Sequence, residues 1–385
     1  MPTVPSIPGI KAEHAVAHTM RQEVAQLLGR STFAFPGAQP VSFATKHIDE
    51  LHREDYYVCE KSDGIRCLLY CTYSDLPHDG MPGTEAYYLI DRKNDYYYVQ
   101  GLHYPKTTDD WSSFHTGTLV DGELVIDEKK DGRKVCKYLV FDCLVLDNVS
   151  LVQRPLDKRL GYFRQMFFKP YEELCKKFPE EMQYFPFYLQ FKNMELSYAL
   201  PKMFDQVLPN LEHGNDGLIF TAVNAEYKFG TDEKILKWKP ADENSIDFRM
   251  NLEFPALPLE EYEEDGSGSP QYDWYAKPRV WLSVNTGSSG YERWAEMYLT
   301  DEEWTNLKNM GVELDERIVE CAMDEQQRWR FKRFRNDKKD GNHISVVHSV
   351  MESIRDGVSK EDLLKVVGSM RSQWKQRQTR VQGGR

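Results

Sequence analysis

From about residue 56 to 145 the chain runs through YYVCE, CLLYCTY, AYYLID, YYYVQ, TLVDGELVID and KYLVFDCLVL, short segments rich in β-branched, aromatic and other apolar residues. The turn clusters PHDGMPG and EKKDGRK separate them, as expected of antiparallel strands and hairpins. Helical spacing appears on either side. Val16, Met20, Val24 and Leu27 predict an amphipathic helix over 10–29 that ends at Gly29, and segments 155–180 and 193–212 also read as helices, with the aromatic-rich 184–191 between them. DGLIFTAV (216–223) and KILKWK (234–239) add two strands, and Pro240 ends the ladder because proline cannot donate a sheet hydrogen bond.

The texture then shifts. ALPLEEYEEDGSGSPQYD (256–273) is acidic and then rich in Gly, Ser and Pro, which reads as an exposed insertion near 254–276. Strand-like RVWLSV (279–284), ERIVECAM (316–323) and QRWRFKRF (327–334) surround a helical DEEWTNLKNM (301–310), and helices over 342–356 and 359–375 follow. At 385 residues the chain is long enough for two domains. We place them at 1–243 and 244–385, the second with a basic helical tail, and leave open whether a C-terminal helix returns to the first.

Hydrophobic residues at 41% and charged residues at 29% describe a soluble globular protein, and no apolar run approaches the roughly 20 residues that span a bilayer. The N-terminus does not read as a secretory signal, so an intracellular protein with no membrane partner is expected. Seven cysteines with no CxxC pair suit reduced thiols better than a disulfide frame or a zinc site. A net charge of −12 argues against a protein that coats nucleic acid, since such binding rests on phosphate neutralisation. Local basic clusters remain in WRFKRFRNDKK (329–339) and in 371–385.

Chemistry concentrates at EKSDGIRCLLY (60–70). Taken alone, KSDGIR is a tight turn in which Asp63-Gly64 supplies the backbone angles. Read as a nucleophile, Lys61 has to shed its proton, which requires desolvation or neighbouring positive charge, and the adjacent Glu60 and Asp63 act in the opposite sense. A reactive Lys61 therefore needs cations or a metal supplied by the fold. Lys237 and Lys239 lie two apart, so on a strand they share a face and suit a bridging phosphate.

KSDGIR resembles the KxDGxR element of covalent nucleotidyltransferases, the superfamily of mRNA capping enzymes and polynucleotide ligases. Further elements follow in that superfamily's order: DGELV at 121–125, YLVFDCLVLDN at 138–148, DGLIF at 216–220, LKWKP at 236–240 and RFRNDK at 333–338. The last is similar to mRNA guanylyltransferases of fungal type rather than to DNA ligases. The resemblance implies an α+β fold: a nucleotidyltransferase domain of antiparallel sheets with flanking helices, and a smaller C-terminal OB-fold barrel that acts as a lid.

It also implies roles. Lys61 attacks GTP, while Glu60 and Arg66 orient the nucleotide and Arg92 touches its sugar. Phe141 and Ile219 take the two faces of guanine. Glu123 and Asp216 hold a divalent metal, Mg2+ or Mn2+, as hard oxygen ligands. Lys192 is a weaker match, which spacing alone reads as a solvated lysine. Lys237 and Lys239 meet phosphate, Asp247 follows them, and Arg335, Asp337 and Lys338 reach the β- and γ-phosphates.

The implied partners are GTP, 5′-diphosphate RNA, a separate RNA 5′-triphosphatase and the phosphorylated tail of RNA polymerase II, in the nucleus. A separate triphosphatase is expected because no HCxxGxxR loop occurs and few residues precede the strands. Two other readings stand beside this one: an ATP-dependent polynucleotide ligase, and a non-enzymatic scaffold that binds RNA or polymerase.

Overall fold

The structure, a computed structural model, describes residues 5–74, 83–240, 244–257, 271–324 and 326–383. All of PHDGMPG (77–83) but its last residue, and most of the 254–276 insertion, lie outside them; within the insertion a bridge joins Ala256 and Tyr272. The chain forms two compact units, one of residues 1–238 with 360–385 and one of 239–359. Among the described residues no helix is long and apolar enough to cross a membrane.

The first unit begins with strand β1 (Ile10–Lys11), helix α1 (His14–Leu27), β2 (Ala38–Ser42) and α2 (Lys46–Arg53). The strand-rich stretch follows as β3 (Tyr56–Ser62), β4 (Ile65–Ser74), β5 (Thr84–Asp91), β6 (Tyr96–Val99), β7 (Thr118–Glu128), β8 (Lys134–Leu146) and β9 (Val149–Ser150). After α3 (Leu156–Phe163) and α4 (Lys169–Lys177) come β10 (Tyr188–Phe191), β11 (Glu195–Leu196), the short α5 (Leu200–Lys202), β12 (Asn215–Ala222) and β13 (Gly230–Trp238).

These strands build two sheets. The larger runs β1-β6-β5-β4-β7-β8-β10 with β9 beside β8, and the smaller runs β11-β3-β12-β13-β2. Most pairs are antiparallel as expected, but β10 lies parallel to β8 and β2 parallel to β13. The larger sheet is covered on both faces, which is why CLLYC is apolar at consecutive positions rather than alternating. Leu69, Leu89, Val140, Phe163, Phe167 and Tyr171 form one core with α3 and α4. On the other side Leu68, Tyr70, Ile90 and Leu144 pack with Ala17, Val24 and Leu28 of the α1 region.

β3 and β4 do not form the hairpin that KSDGIR suggests. They belong to different sheets, and Asp63-Gly64 carries the chain from one to the other. The Asp63 N–H donates to the Gly214 carbonyl at 2.8 Å. Gly64 is required for space, since a Cβ there would stand 2.2 Å from the Leu124 carbonyl oxygen. Segment 193–212 also departs from the expected helix: it breaks into β11, single turns and a π-type turn at Met203–Val207. Pro201 and Pro209 sit in its turns and interrupt the ladder, because proline lacks an N–H to continue it.

The second unit holds β14 (Ser245–Glu253), β15 (Arg279–Asn285), β16 (Tyr291–Glu296), α6 (Asp301–Asn309), β17 (Ile318–Met323), β18 (Trp329–Phe334) and α7 (Ile344–Arg355). The sheet order is β16-β15-β14-β17-β18, and a Met297–Trp329 bridge brings its ends together as a small barrel. Thr300 and Glu303 close a capping box at the start of α6. Phe248, Leu282, Trp304, Val319 and Trp329 fill the core.

The last two helices, α8 (Lys360–Lys365) and α9 (Val367–Gly383), return to the first unit, so the second does not run to 385. Leu363 and Met370 are buried, the Arg377 guanidinium lies 2.6 Å from Asp55, and Trp374 packs on Tyr198 with ring centroids 5.1 Å apart. Apolar anchors and an ion pair hold this tail, which composition alone had marked only as basic.

Candidate active site

The two sheets of the first unit face a cleft that is open to solvent at its mouth. The smaller sheet contributes Cys59 and Lys61 from β3, Ile219 and Thr221 from β12, Ile235 from β13, and Ala38 and Pro40 from β2. Each of these pairs is two residues apart, so strand alternation turns both side chains to the same face. From the larger sheet come Arg66, Asp121, Glu123, Phe141 and Asp142, with Arg92 just past β5 and Lys192 and Met194 just past β10. The crossing at Asp63-Gly64 is what puts Lys61 and Arg66 on opposing walls.

Most of the charge in the cleft is paired. Lys61 Nζ donates to Asp216 Oδ1 at 2.6 Å, with both side chains about a quarter exposed. Arg66 makes a bidentate pair with the fully buried Asp121 at 3.0 and 2.6 Å, and that carboxylate holds the guanidinium well above its ordinary range against the cost of burial. Tyr227 also donates its hydroxyl to Asp121 at 2.7 Å and accepts the Ala38 N–H at 2.9 Å, which ties β2 to the same carboxylate. Asp142 stands opposite Asp121 in the strand register, and Arg159 of α3 neutralises it through two hydrogen bonds of 2.7 Å.

Lys192 is almost fully buried, which overturns its reading as a solvated lysine. It donates to Ser62 Oγ at 2.8 Å and lies 3.5 Å from Glu60, and Ser62 in turn donates to Glu123. Burial alone would lower the Lys192 pKa, but the Glu60 charge outweighs it and holds the ammonium above its usual value. The Phe141 ring sits between the Arg66 guanidinium at 5.5 Å and the Lys192 ammonium at 6.0 Å. Burial pushes the Cys59 thiol up to about 12, so it stays protonated.

Of the residues picked out by sequence, Lys61, Arg66, Arg92, Glu123, Phe141, Lys192 and Ile219 meet at the cleft, and Asp216 reaches it through Lys61. Glu60 does not line it. Lying between Cys59 and Lys61 it faces the other way, toward Lys192 and His213. Lys237 pairs with Ile219 across β12 and β13, on the sheet that carries Lys61, whereas Lys239 is the first residue of the second unit.

Asp247, Arg335, Asp337 and Lys338 form one network in the second unit. Arg335 donates to Asp247 at 3.0 Å and to Asp337 at 2.8 Å, and Lys338 donates to Asp247 as well. The hydrogen bond from Arg335 keeps the Asp337 carboxyl far below its usual range.

Sequence reasoning passed over Ser62, Asp121 and Tyr227. Ser62 and Asp121 stand inside the quoted motifs, but a turn reading hid the first, and nothing local shows that the second is fully buried on its strand. Gly122 beside it has the same cause as Gly64, since its Cβ would lie 2.5 Å from the Tyr138 ring. Tyr227 carries no local signal at all.

Comparison with known proteins agrees with this geometry. Residues 3–241 match the family described as mRNA capping enzyme, catalytic domain, and residues 243–364 match mRNA capping enzyme, C-terminal domain. The chain is 48% identical over 380 residues to a Neurospora crassa protein named mRNA-capping enzyme subunit alpha, covering 96% of this chain and 93% of the relative. A Schizosaccharomyces pombe protein of the same name is 47% identical, with 94% and 86% covered, and one from Saccharomyces cerevisiae is 37% identical, with 99% and 89% covered. Two domain matches that together span most of the chain, and relatives this similar over nearly their whole length, lead to one conclusion: the chain is a nucleotidyltransferase that belongs to the mRNA capping enzyme family.

Proposed function

We propose that this protein is a GTP:RNA guanylyltransferase working through a lysyl-GMP intermediate on Lys61. The observation that carries the reading is the placing of Lys61 and Arg66 on opposite walls of one cleft, with Lys61 Nζ 2.6 Å from Asp216. In the first step the Lys61 nitrogen attacks the α-phosphorus of GTP, a P–N bond forms, and the bond to the β-phosphate oxygen breaks with release of pyrophosphate. The nitrogen gives up a proton before it attacks, and Asp216 is the base within hydrogen-bond reach. In the second step a β-phosphate oxygen of 5′-diphosphate RNA attacks the same phosphorus. The P–N bond breaks, its electron pair returns to Lys61, and the nitrogen regains a proton.

Phe141 and Ile219 are assigned to the two faces of guanine, and Arg66 and Arg92 to the sugar. Lys192 is held by Glu60 and Ser62 with its ammonium 6.0 Å from the Phe141 ring centroid, and is assigned to the base. Lys237 and Lys239 are assigned to phosphate. So are Arg335, Asp337 and Lys338, whose cations already bind carboxylates and would exchange Asp247 for phosphate oxygens.

Glu123 and Asp216 offer hard oxygen donors suited to Mg2+ or Mn2+. Among the described residues no group of three or more acidic, His or Cys side chains converges on one point, a donor set that suits an ion completed by substrate phosphates. Such an ion would neutralise charge on the triphosphate.

The relatives are named alpha subunits, and we extend that to this chain: a second subunit would supply diphosphate ends as an RNA 5′-triphosphatase. Nuclear action and attachment to the phosphorylated polymerase tail belong to the same proposal.

The test is covalent labelling. Protein incubated with Mg2+ or Mn2+ and α-labelled GTP, then denatured, is expected to retain label that disappears in Lys61→Ala. Label from ATP instead would indicate a ligase, and label from neither would leave a scaffold.

A further inference from the structure

At the rim of the cleft, three loops of the first unit carry cations that form no ion pair. The turn after β5 carries Arg92 and Lys93, and it is rigidly built. Asp91 Oδ1 accepts the N–H groups of Lys93 and Asp95, each at 2.9 Å, and Asn94 adopts φ 62°. Arg21 of α1 grips the Asn94 carbonyl at 2.8 and 3.1 Å, and the Asn94 side chain donates to the Phe33 carbonyl at 2.6 Å.

That last bond joins the turn to the loop before β2. Here Arg30, half-buried and donating to the Ala34 carbonyl at 2.8 Å and to Thr32 Oγ1 at 3.1 Å, lies over the half-buried Phe229 ring at 4.7 Å, and Phe229 meets Tyr227, a lining residue of the cleft, at 5.8 Å between centroids. Lys228, between them in sequence, is exposed, as are Lys93 and the Phe33 ring, at 45%. Among the described residues Arg30, Arg92, Lys93 and Lys228 have no ion-pair partner. In a chain of net charge −12, where most cations near the cleft are tied to carboxylates, this rim is the exception.

Cations that follow a sugar–phosphate backbone, interleaved with rings on which bases stack, are what single-stranded RNA requires. We propose that Arg30, Lys93 and Lys228, with Phe33 and Phe229, form the docking surface for the first nucleotides of the RNA acceptor. Continuity with the cleft favours RNA over a phosphorylated peptide, because the reacting end of the acceptor has to sit inside. The proposal rests on the guanylyltransferase reading, but the binding it describes can be measured apart from that reaction.

The experiment compares wild type with Lys93→Glu/Lys228→Glu, neither position being part of the nucleotide site. GTP labelling of Lys61 is expected to be unchanged. KM for a 5′-diphosphate RNA oligonucleotide should rise roughly tenfold at little cost in kcat, and the salt slope of RNA binding should fall by about 1.4 log units for two lost phosphate contacts to a single strand. A nucleoside 5′-diphosphate acceptor, which has no chain to follow the rim, should be used equally well by both proteins.

An unchanged KM for RNA would overturn the proposal. So would an equal loss with the nucleoside diphosphate, or a rim that binds a phosphorylated peptide while RNA transfer is unaffected. Anisotropy of 3′-labelled RNA, measured without GTP, gives the independent arm. If wild type took no label from GTP the guanylyltransferase reading would fail, and RNA binding lost in the double variant would still uphold the surface.

Discussion

The Lys61 ammonium and the Asp216 carboxylate stand 2.6 Å apart although 155 residues separate them in the chain. β3 and β12 are neighbours in the smaller sheet, and the irregular register between Asn215 and Leu218 falls where Asp216 meets the lysine. The proposed nucleophile and the carboxylate in reach of it are thus positioned by sheet pairing rather than by a loop.

Lys61→Arg should abolish covalent labelling by GTP, since a guanidinium remains protonated. Asp216→Asn should keep the fold and lower the labelling rate on the order of a hundredfold, the lower range of general base contributions. Single-turnover labelling checks both, and an unimpaired Asp216→Asn would remove that residue from the proton step.

Glu60 and Lys192 make a buried pair, so removing one partner strands a charge. Lys192→Ala is expected to destabilise the first unit by about 3–5 kcal/mol in urea unfolding. Glu60→Leu/Lys192→Met should regain most of that stability but not GTP labelling, because the ammonium beside Phe141 and Ser62 is still missing. Labelling restored along with stability would reduce Lys192 to a structural role.

Gly64→Ala should be far more damaging than a turn substitution usually is. Its Cβ would meet the Leu124 carbonyl oxygen at 2.2 Å, and the shift needed would move Lys61 relative to Arg66. We expect a loss of about 1–3 kcal/mol in stability, typical of overpacking, together with loss of labelling. A variant that unfolded and labelled normally would show that the crossing tolerates movement.

In the second unit, Lys338→Ala should leave the unfolding midpoint nearly unchanged, because the side chain is about a third exposed, while raising the GTP concentration needed for labelling. Asp247→Asn takes away the carboxylate that Arg335 and Lys338 share, so it should weaken the order of that segment as well as labelling. Normal GTP dependence in Lys338→Ala would detach this network from the triphosphate.

His213 lies 2.8 Å from Asp127 and 3.7 Å from Glu60, and Lys137 also pairs with Asp127, at 2.5 Å. Burial would lower the imidazole pKa, but the hydrogen bond to Asp127 and the nearby Glu60 charge outweigh it and raise it above its ordinary value. The folded state therefore holds this proton more tightly than the unfolded chain. Its stabilisation is complete below the unfolded value and is lost as pH rises through the folded one. Unfolding midpoints should fall over that window in wild type and stay flatter in His213→Gln; identical profiles would contradict the assignment.

Much was legible in the sequence because it is local. The apolar and aromatic runs marked the strands of the first unit, helical spacing marked α1 and α6, and the shift after Pro240 marked a second β-rich unit. Less local features were misread. KSDGIR taken alone looked like no more than a tight turn, because an Asp-Gly pair says nothing of which sheet each flanking strand will join. Lys192 looked solvated because its partners Ser62 and Glu60 lie about 130 residues earlier.

The sequence by itself determined the chemistry available: the lysine proposed as nucleophile, the carboxylates, the arginines and an aromatic ring, most of them on strands of known period. Tertiary structure alone decided that β3 and β4 enter different sheets, that Glu60 turns away while Asp121 and Tyr227 brace Arg66, and that α9 returns to the first unit. Periodicity and turn preference act over a few residues, whereas burial and ion pairing depend on which distant segments come to face one another.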